Sequence, residues 1–365
     1  MNKIYLEVTA KDTLLFRDTM SMDMGTTNFI ESMAMPYPSV IYGMLTTALM
    51  REGFLEELKS FLNRKPDSLL KREKFLAEHL HVNSLYLSYD GELFIPAPLD
   101  LFVDGDGKVY MGEYEDGLLY PPEKIGEKLE RAEGMFISFN DFRHHYVYGD
   151  LDAVVLRKES YFFGDYFKAG IAIDKQTKAA AKEMLYFAKM REPKTQMAYF
   201  AEAEIKEDIL KEGTWSADVS LGGRNRTAYL RQLPEDDYRI GQKDTYKNGR
   251  VDSRFLKMIF TTPYIMDEAD AMEKNFENQG ISVVTRVTGK PLVIGGYDMA
   301  AGRRKKLQTA LPAGSLYLLS SEAFVGKTLE QVQMMLLDVQ KSESGQTFRG
   351  FGKFILAETE AGDGK

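Results

Sequence analysis

The part of the sequence with the clearest chemistry is a glycine-rich stretch that is followed by a run of cations. Gly295 and Gly296 come directly after an apolar run at 292–294, and four consecutive basic residues occupy 303–306. Glycine lets a ligand approach the main chain closely, and successive exposed backbone N–H groups form an anion-binding concavity. The stretch predicts a loop that holds a phosphate backbone, and a surface hairpin with a solvated basic tip is the alternative interpretation.

The whole chain is acidic, whereas the region around the glycine loop is basic. The 365 residues carry a net charge of −8, which by itself argues weakly against nucleic-acid binding. Between Lys290 and Lys306 there are five basic residues and one acidic residue, a local balance of +4. Because binding depends on local fields, the loop stays a candidate phosphate-binding surface.

The usual catalytic and cofactor-binding patterns do not occur. The glycine loop matches neither G-x-x-x-x-G-K-[ST] nor G-x-G-x-x-G, and no G-x-S-x-G elbow is present. The chain has no cysteine, which excludes disulfides and thiolate sites. Asp104–Gly107 superficially suggests a calcium loop, but Lys108 occupies a ligand position, so a hairpin turn is predicted. We expect no catalytic residue, no metal and no cofactor.

Helices and strands alternate along the chain. Apolar residues at 41, 44, 45, 48 and 49 predict a helix with one buried face. Thr328 and Gln331 fit a capping box before a second helix. Met197–Ile205 predicts a strand that opens a second domain. The N-terminus lacks the long apolar region of a signal peptide, and no apolar window is long enough to span a membrane, so we expect a cytoplasmic protein without membrane contact.

This organisation predicts an α+β fold with two closely packed ferredoxin-like (RRM-like) domains. The β-α-β-β-α-β order of such a unit leaves an open sheet face, across which the glycine loop would lie. We place the N-terminal domain, with inserted loops and hairpins, at 1–193. The C-terminal domain, with the glycine-rich loop, is placed at 194–358, and 359–365 is expected to be a frayed tail.

Short motifs along most of the chain occur in the order of one known family. They are Leu15–Asp18, Met35–Gly43, Phe94–Asp100, Gly170–Asp174, Leu221–Arg226, Pro291–Asp298 and Leu311–Tyr317. In their residue types and order they resemble the third Cmr subunit, the RAMP subunit that binds the 5′ handle of the CRISPR RNA (crRNA) in type III-B CRISPR–Cas effector complexes.

The resemblance implies a non-catalytic, RNA-binding subunit of an antiviral effector complex. Its partners would be the crRNA 5′ handle, a large palm-domain subunit that makes cyclic oligoadenylate signals, and the neighbouring backbone RAMP subunits. The candidate RNA-contact residues are Arg17, Lys168, Arg224, Arg226, Gly295, Gly296, Tyr297, Arg303, Arg304, Lys305 and Arg349. Lys306 extends the basic run, and Tyr42 and Tyr297 would either stack on bases or pack.

Three alternatives remain open from the sequence. A RAMP endoribonuclease that processes precursor crRNA would use His144 or His145 as a general acid or base, whereas we interpret these histidines as surface or packing residues. The related type III-A (Csm) counterpart has a similar pattern. A pure protein adaptor would not need the basic loop.

Overall fold

The computed structural model describes most of the chain. The described residues are 1–17, 29–53, 66–123, 128–173, 180–206, 215–223, 226–244, 249–266, 269–298, 302–341 and 346–359. Within these ranges no helix is both long and apolar enough to cross a membrane.

Short helices and many strands make up the described part of the chain. The helices are α1 (Pro38–Arg51), α2 (Pro66–His79), α3 (Phe139–His144), α4 (Tyr238–Asp244), α5 (Ala269–Asn278) and α6 (Leu329–Lys341). The strands are β1 (Asn2–Ala10), β2 (Phe29–Glu31), β3 (Leu80–Tyr89), β4 (Glu92–Pro96), β5 (Leu101–Val103), β6 (Val109–Met111), β7 (Glu113–Glu115), β8 (Leu118–Tyr120), β9 (Glu130–Arg131), β10 (Met135–Ser138), β11 (Arg157–Lys158), β12 (Phe163–Ile173), β13 (Ala180–Pro193), β14 (Met197–Ile205), β15 (Ser216–Ser220), β16 (Thr227–Leu233), β17 (Phe255–Phe260), β18 (Tyr264–Ile265), β19 (Ser282–Val287), β20 (Leu292–Ile294), β21 (Tyr297–Asp298), β22 (Arg303–Arg304), β23 (Gln308–Leu311), β24 (Leu316–Ser320) and β25 (Phe354–Glu358). The predicted α+β class is confirmed.

The largest sheet has eight strands in the order β11-β10-β4-β3-β14-β1-β16-β15. Strand β14 pairs antiparallel with β1 on one side and with β3 on the other. The prediction that Met197–Ile205 opens a second domain is therefore wrong, because this strand lies in the middle of the first sheet. Its nearly continuous burial shows the same central position.

The second sheet has four strands in the order β19-β24-β17-β25, and each neighbouring pair is antiparallel. Along the chain its elements follow the order β17, α5, β19, β24, α6, β25. Helices α5 and α6 pack together over one face of this sheet. The segment between β19 and β24 carries the glycine loop, which rises from the small sheet β18-β23-β20.

The face of the first sheet opposite α1 and α2 and the face of the second sheet opposite α5 and α6 are buried against the same apolar cluster. Helices α1 and α2 cover the other face of the first sheet. The shared cluster contains Tyr86 and Phe200 of the first sheet, Phe142 of α3, and Ile259 and Ile355 of the second sheet. The expectation of an open sheet face beneath the glycine loop is therefore wrong, because burying these apolar rows stabilises the fold more than leaving them in water.

Loops of both parts of the chain interlock at two glycines. Gly314 has φ +88°, and a Cβ there would lie 2.5 Å from the carbonyl oxygen of Ala97. The Leu99 N–H donates to the Gly314 oxygen at 2.9 Å. Gly350 has φ +96°, and a Cβ there would lie 3.0 Å from Pro38 Cβ. The motifs Pro96–Pro98 and Pro312–Gly314 therefore form one of the contacts between loops of the two parts of the chain.

The predicted helix signals are confirmed. Helix α1 buries the predicted apolar face and begins at Pro38, with Tyr37 at its N-cap position. At the start of α6 the Thr328 N–H donates to Gln331 Oε1 at 2.9 Å, and the Gln331 N–H donates back to Thr328 Oγ1 at 3.2 Å. This reciprocal pair is the predicted capping box.

Candidate nucleic-acid interface

The glycine loop forms a short hairpin that stands on strand β20. The Lys305 N–H donates to the Gly296 carbonyl at 2.9 Å and closes the hairpin, and the register places Tyr297 opposite Arg304. Gly296 is exposed and has φ +139°, with no atom within 4 Å of the place where a Cβ would stand. Gly295 is half-buried beside it. The glycines leave the main chain open to a ligand at this point.

The returning strand of the hairpin presents the basic run to solvent. Arg303, Arg304, Lys305 and Lys306 are all exposed. None of the ion pairs between described side chains involves Arg303, Arg304 or Lys306. Successive residues of a strand point to opposite faces, so the hairpin is cationic on both faces. The residues 299–301 at its tip lie outside the described ranges.

A second group of predicted cations lies at the long β12–β13 hairpin. Lys168 is exposed on β12, and exposed Arg17 forms an isolated bridge with Ser32 next to β2. Arg224 lies outside the described residues, and the side chain of Tyr297 belongs to those not described.

Arg226 is only partly available, because it forms an ion pair with Asp12. Its Nη2 also lies 3.7 Å from Met190 Sδ. The Thr13 N–H donates to Asp12, and together with the nearby Arg226 charge it lowers the pKa of Asp12. Arg226 therefore packs the base of the β12–β13 hairpin, and an RNA contact would require this pair to open.

Arg349 lies in the interior, so its predicted contact with RNA is not supported by its position. Its side chain is buried, forms an ion pair with Glu73, and lies over the rings of Phe348 (5.2 Å) and Tyr42 (5.9 Å). Tyr42 is itself buried and donates to the Leu76 carbonyl at 3.3 Å. Burial raises the pKa of Tyr42. Both residues pack helix α1 instead of facing solvent.

The segment 32–37 connects the two exposed cationic groups. Ser32 bridges to Arg17 at one end, and Tyr37 packs with Ile294 at the base of the glycine loop at the other. A cavity of about 180 Å³ lies along this segment. Its lining includes Met33, Met35, Tyr37, Phe136, Thr262 and Leu292.

A family model described as CRISPR-associated protein (Cas_Cmr3) matches residues 6–359. The chain belongs to the Cas_Cmr3 family. The resemblance predicted from the ordered motifs is thereby confirmed, and the family is one of structural, RAMP-like subunits of type III CRISPR–Cas complexes.

Among solved structures, the fold of the chain is similar to that of a Cmr-beta chain. The Cas_Cmr3 chain is 17% identical to a chain of the Type III-B Cmr-beta complex bound to cognate target RNA, with a TM-score of 0.51 and 95% of each chain covered. A second Cmr-beta structure, bound to target RNA and AMPPnP, gives 16% identity and a TM-score of 0.49, with 97% of this chain and 99% of that chain covered. A chain of the type III-A Csm3–Csm4 subcomplex is 13% identical with a TM-score of 0.40, and the match covers 90% of this chain and 96% of that chain. None of the curated proteins matches the chain.

The acid–base candidates of this Cas_Cmr3 chain stand at the end of helix α3, where His144 is the last residue and His145 follows it. His145 Nδ1 lies 3.4 Å from Asp150 Oδ2. Asp104 accepts from the N–H of Lys108 at 2.9 Å within the β5–β6 hairpin, which confirms the predicted turn. The described residues contain no cluster of three potential metal ligands.

A buried polar network joins the second sheet of the Cas_Cmr3 chain to the β4–β5 loop and the inserted segments, and the sequence analysis missed it. Lys257 Nζ on β17 lies 2.7 Å from Asp100 Oδ2, with side chains only 5% and 0% exposed. Tyr114 and Tyr146 donate their hydroxyl groups to the same carboxylate at 2.9 and 3.0 Å. Lys257 also contacts Met111 Sδ at 3.4 Å. The sequence signal that could have revealed this network is Lys257, a lysine inside the otherwise apolar strand β17.

Proposed function

We propose that this chain is a non-catalytic RNA-binding subunit of a type III-B effector complex. In this role it holds the 5′ handle of the crRNA and links the large palm-domain subunit to the neighbouring backbone RAMP subunits. Membership of the Cas_Cmr3 family supports the complex, and related chains occur in Cmr-beta structures bound to target RNA.

The observation that carries the RNA-binding role is the exposed basic hairpin. Four consecutive cations stand beside a glycine turn with an open main chain. Protein affinity for single-stranded RNA comes largely from such backbone contacts, while stacking and hydrogen bonds to base edges supply selectivity. Arg17 and Lys168 supply further exposed positive charge, and segment 32–37 joins them to the hairpin.

The strand orders support two ferredoxin-like units. The second sheet has the chain order β-α-β-β-α-β with its first strand in the middle beside the third and fourth. The central strands of the first sheet, β3-β14-β1-β16, repeat that arrangement. On this basis the first unit ends between Leu233 and Phe255, and the inserted hairpins β5–β13 belong to it.

Charge reversal of the hairpin tests the RNA-binding role. In the variant every residue of Arg303–Lys306 becomes Glu, and binding of end-labelled crRNA extracted from the native complex is measured on the purified chain. We expect affinity to fall by at least a hundredfold, because phosphate contacts are replaced by repulsion. A control variant carries the same change of charge at four exposed lysines elsewhere: Lys74, Lys108, Lys128 and Lys158.

The salt dependence of binding gives a second measurement. The logarithm of the association constant falls with the logarithm of salt concentration by about 0.7 per phosphate contact on single strands. Neutralising Arg303–Lys306 to Gln should therefore lower that slope by up to about 3. If the Glu variant and the Gln variant of the hairpin both bind crRNA as tightly as the unmodified chain and the four-lysine control do, the hairpin does not hold the handle.

A further inference from the structure

Three exposed phenylalanines form a compact apolar surface on the sheet β12-β13-β2. Phe167 is 65% exposed, Phe29 48% and Phe187 45%. Phe187 stands directly opposite Ala169 on β12 and opposite Phe29 on β2. Phe167 lies two residues before Ala169 on the same strand, so it shares this face. We name Phe29, Phe167 and Phe187 together the Phe face.

The opposite side of the same sheet is covered along β13 and β2. Ile30, Ala188 and Met190 alternate with the phenylalanines and are buried in one cluster with Leu15. The sheet is therefore anchored to the protein through that side, and its position does not depend on the Phe face. None of the residues that the structure describes covers the Phe face, and clustered exposed apolar side chains mark interaction sites.

The charges beside the Phe face are paired with one another. Lys189 Nζ lies 2.9 Å from Glu31 and 3.3 Å from Asp165, and Arg191 lies 2.7 Å from Asp165 and 2.5 Å from Glu159. The row has two cations and three carboxylates, so its net charge is −1. It offers no excess positive charge to a phosphate backbone, whose binding depends on cations.

We propose that the Phe face docks an apolar segment without net charge from another protein chain. A nucleic acid is disfavoured by the acidic row. A second copy of this chain is disfavoured by size: three half-exposed phenylalanines supply on the order of 300 Å², whereas a stable interface needs about 800 Å² per partner. This area suits the central contact of a short segment. The proposal does not rest on the RNA-binding role of the basic hairpin.

Photo-crosslinking in the assembled complex tests the proposal. p-Benzoylphenylalanine is placed at position 167 of the tagged chain, the complex is purified from the host and irradiated, and the adduct is sequenced. We expect one protein peptide that is rich in apolar residues and carries no net charge. The same amino acid at position 148, an exposed tyrosine elsewhere, should not label that peptide. An adduct with RNA, with this same chain, or with no molecule overturns the proposal.

Substitution gives the matching loss of function. In the Phe167→Ser/Phe187→Ser variant, affinity for the crosslinked peptide, made synthetically, should fall by at least tenfold, as is typical of central aromatic contacts. Binding of crRNA to the purified chain should change less than twofold. Met334→Ser, at an exposed methionine on α6, is the matched control. Unchanged peptide affinity in the double variant, or a tenfold loss of crRNA binding with the peptide unaffected, contradicts the proposal.

Discussion

Removing the buried cation that ties the second sheet to the β4–β5 loop should be costly. In Lys257→Met the Asp100 carboxylate stays in the interior without its ammonium partner, and its exposure of 0% leaves no water to compensate it. Breaking a buried pair in this way costs about 3–5 kcal/mol. Asp100 keeps the hydroxyl donors of Tyr114 and Tyr146, so we expect the lower end, about 3 kcal/mol.

The opposite change should cost more. Asp100→Leu leaves a buried ammonium and two hydroxyl donors without an acceptor, so we expect about 5 kcal/mol. The double variant has no buried charge, and only the two hydroxyl groups lose a partner, at about 1 kcal/mol each or about 2 kcal/mol in total. The two single effects therefore exceed the double effect by about 6 kcal/mol, which is the coupling energy of the pair.

Urea unfolding of the four proteins in this cycle measures these quantities. Lys74→Met is the control, because this lysine is 79% exposed and pairs with Glu78 at 4.0 Å on a helix surface. We expect that control to change the free energy of unfolding by less than about 0.5 kcal/mol. A cost below about 1 kcal/mol for Lys257→Met, or a coupling energy near zero, would refute the view that this pair holds the second sheet to the β4–β5 loop.

Two further predictions concern a tight loop and acid stability. Gly314→Ala places a Cβ 2.5 Å from the Ala97 carbonyl oxygen at a residue with φ +88°. This change should lower the free energy of unfolding by at least about 2 kcal/mol. The control Gly134→Ala, at a residue with φ +76° and open space around it, should lower it by about 1 kcal/mol. Hydrogen bonds from Arg239 lower the pKa of Asp237. The stabilising effect of the ionised Asp237 is therefore complete at pH values above the ordinary carboxyl pKa, and it is lost as the pH falls through the lowered pKa of Asp237. Asp237→Asn should remove this part of the acid dependence in thermal unfolding measured from pH 2 to 7, and an unchanged profile would contradict the assignment.

Local patterns predicted local structure well. The capping box at Thr328 was readable because both of its partners lie within one turn of the chain. The turn at Asp104 was readable for the same reason, since the side chain satisfies backbone groups two and four residues later. The exposure of the cations at 303–306 could be predicted because four consecutive basic residues include no apolar side chain that would be buried.

Non-local contacts were not readable. The sequence around Arg349 has the glycines and serines of a surface loop, but its carboxylate partner Glu73 lies 276 positions earlier. The strand at 197–205 was correctly predicted as a strand, yet its place between β1 and β3 depends on pairings across about 100 and 200 residues that periodicity does not encode. Asp100 and Lys257 were missed because each is explained only by the other.

The packing of segment 346–353 against helix α1 has a consequence during protein synthesis. The apolar surface of α1 is complete as soon as residue 51 is made, but Phe348 and Arg349 cover part of it only later. At about 5–20 residues per second, the 276 residues between Glu73 and Arg349 take roughly 14–55 s to synthesise. For that time the nascent chain carries part of the apolar surface of α1 uncovered, a surface at which it could aggregate until Phe348 and Arg349 are made.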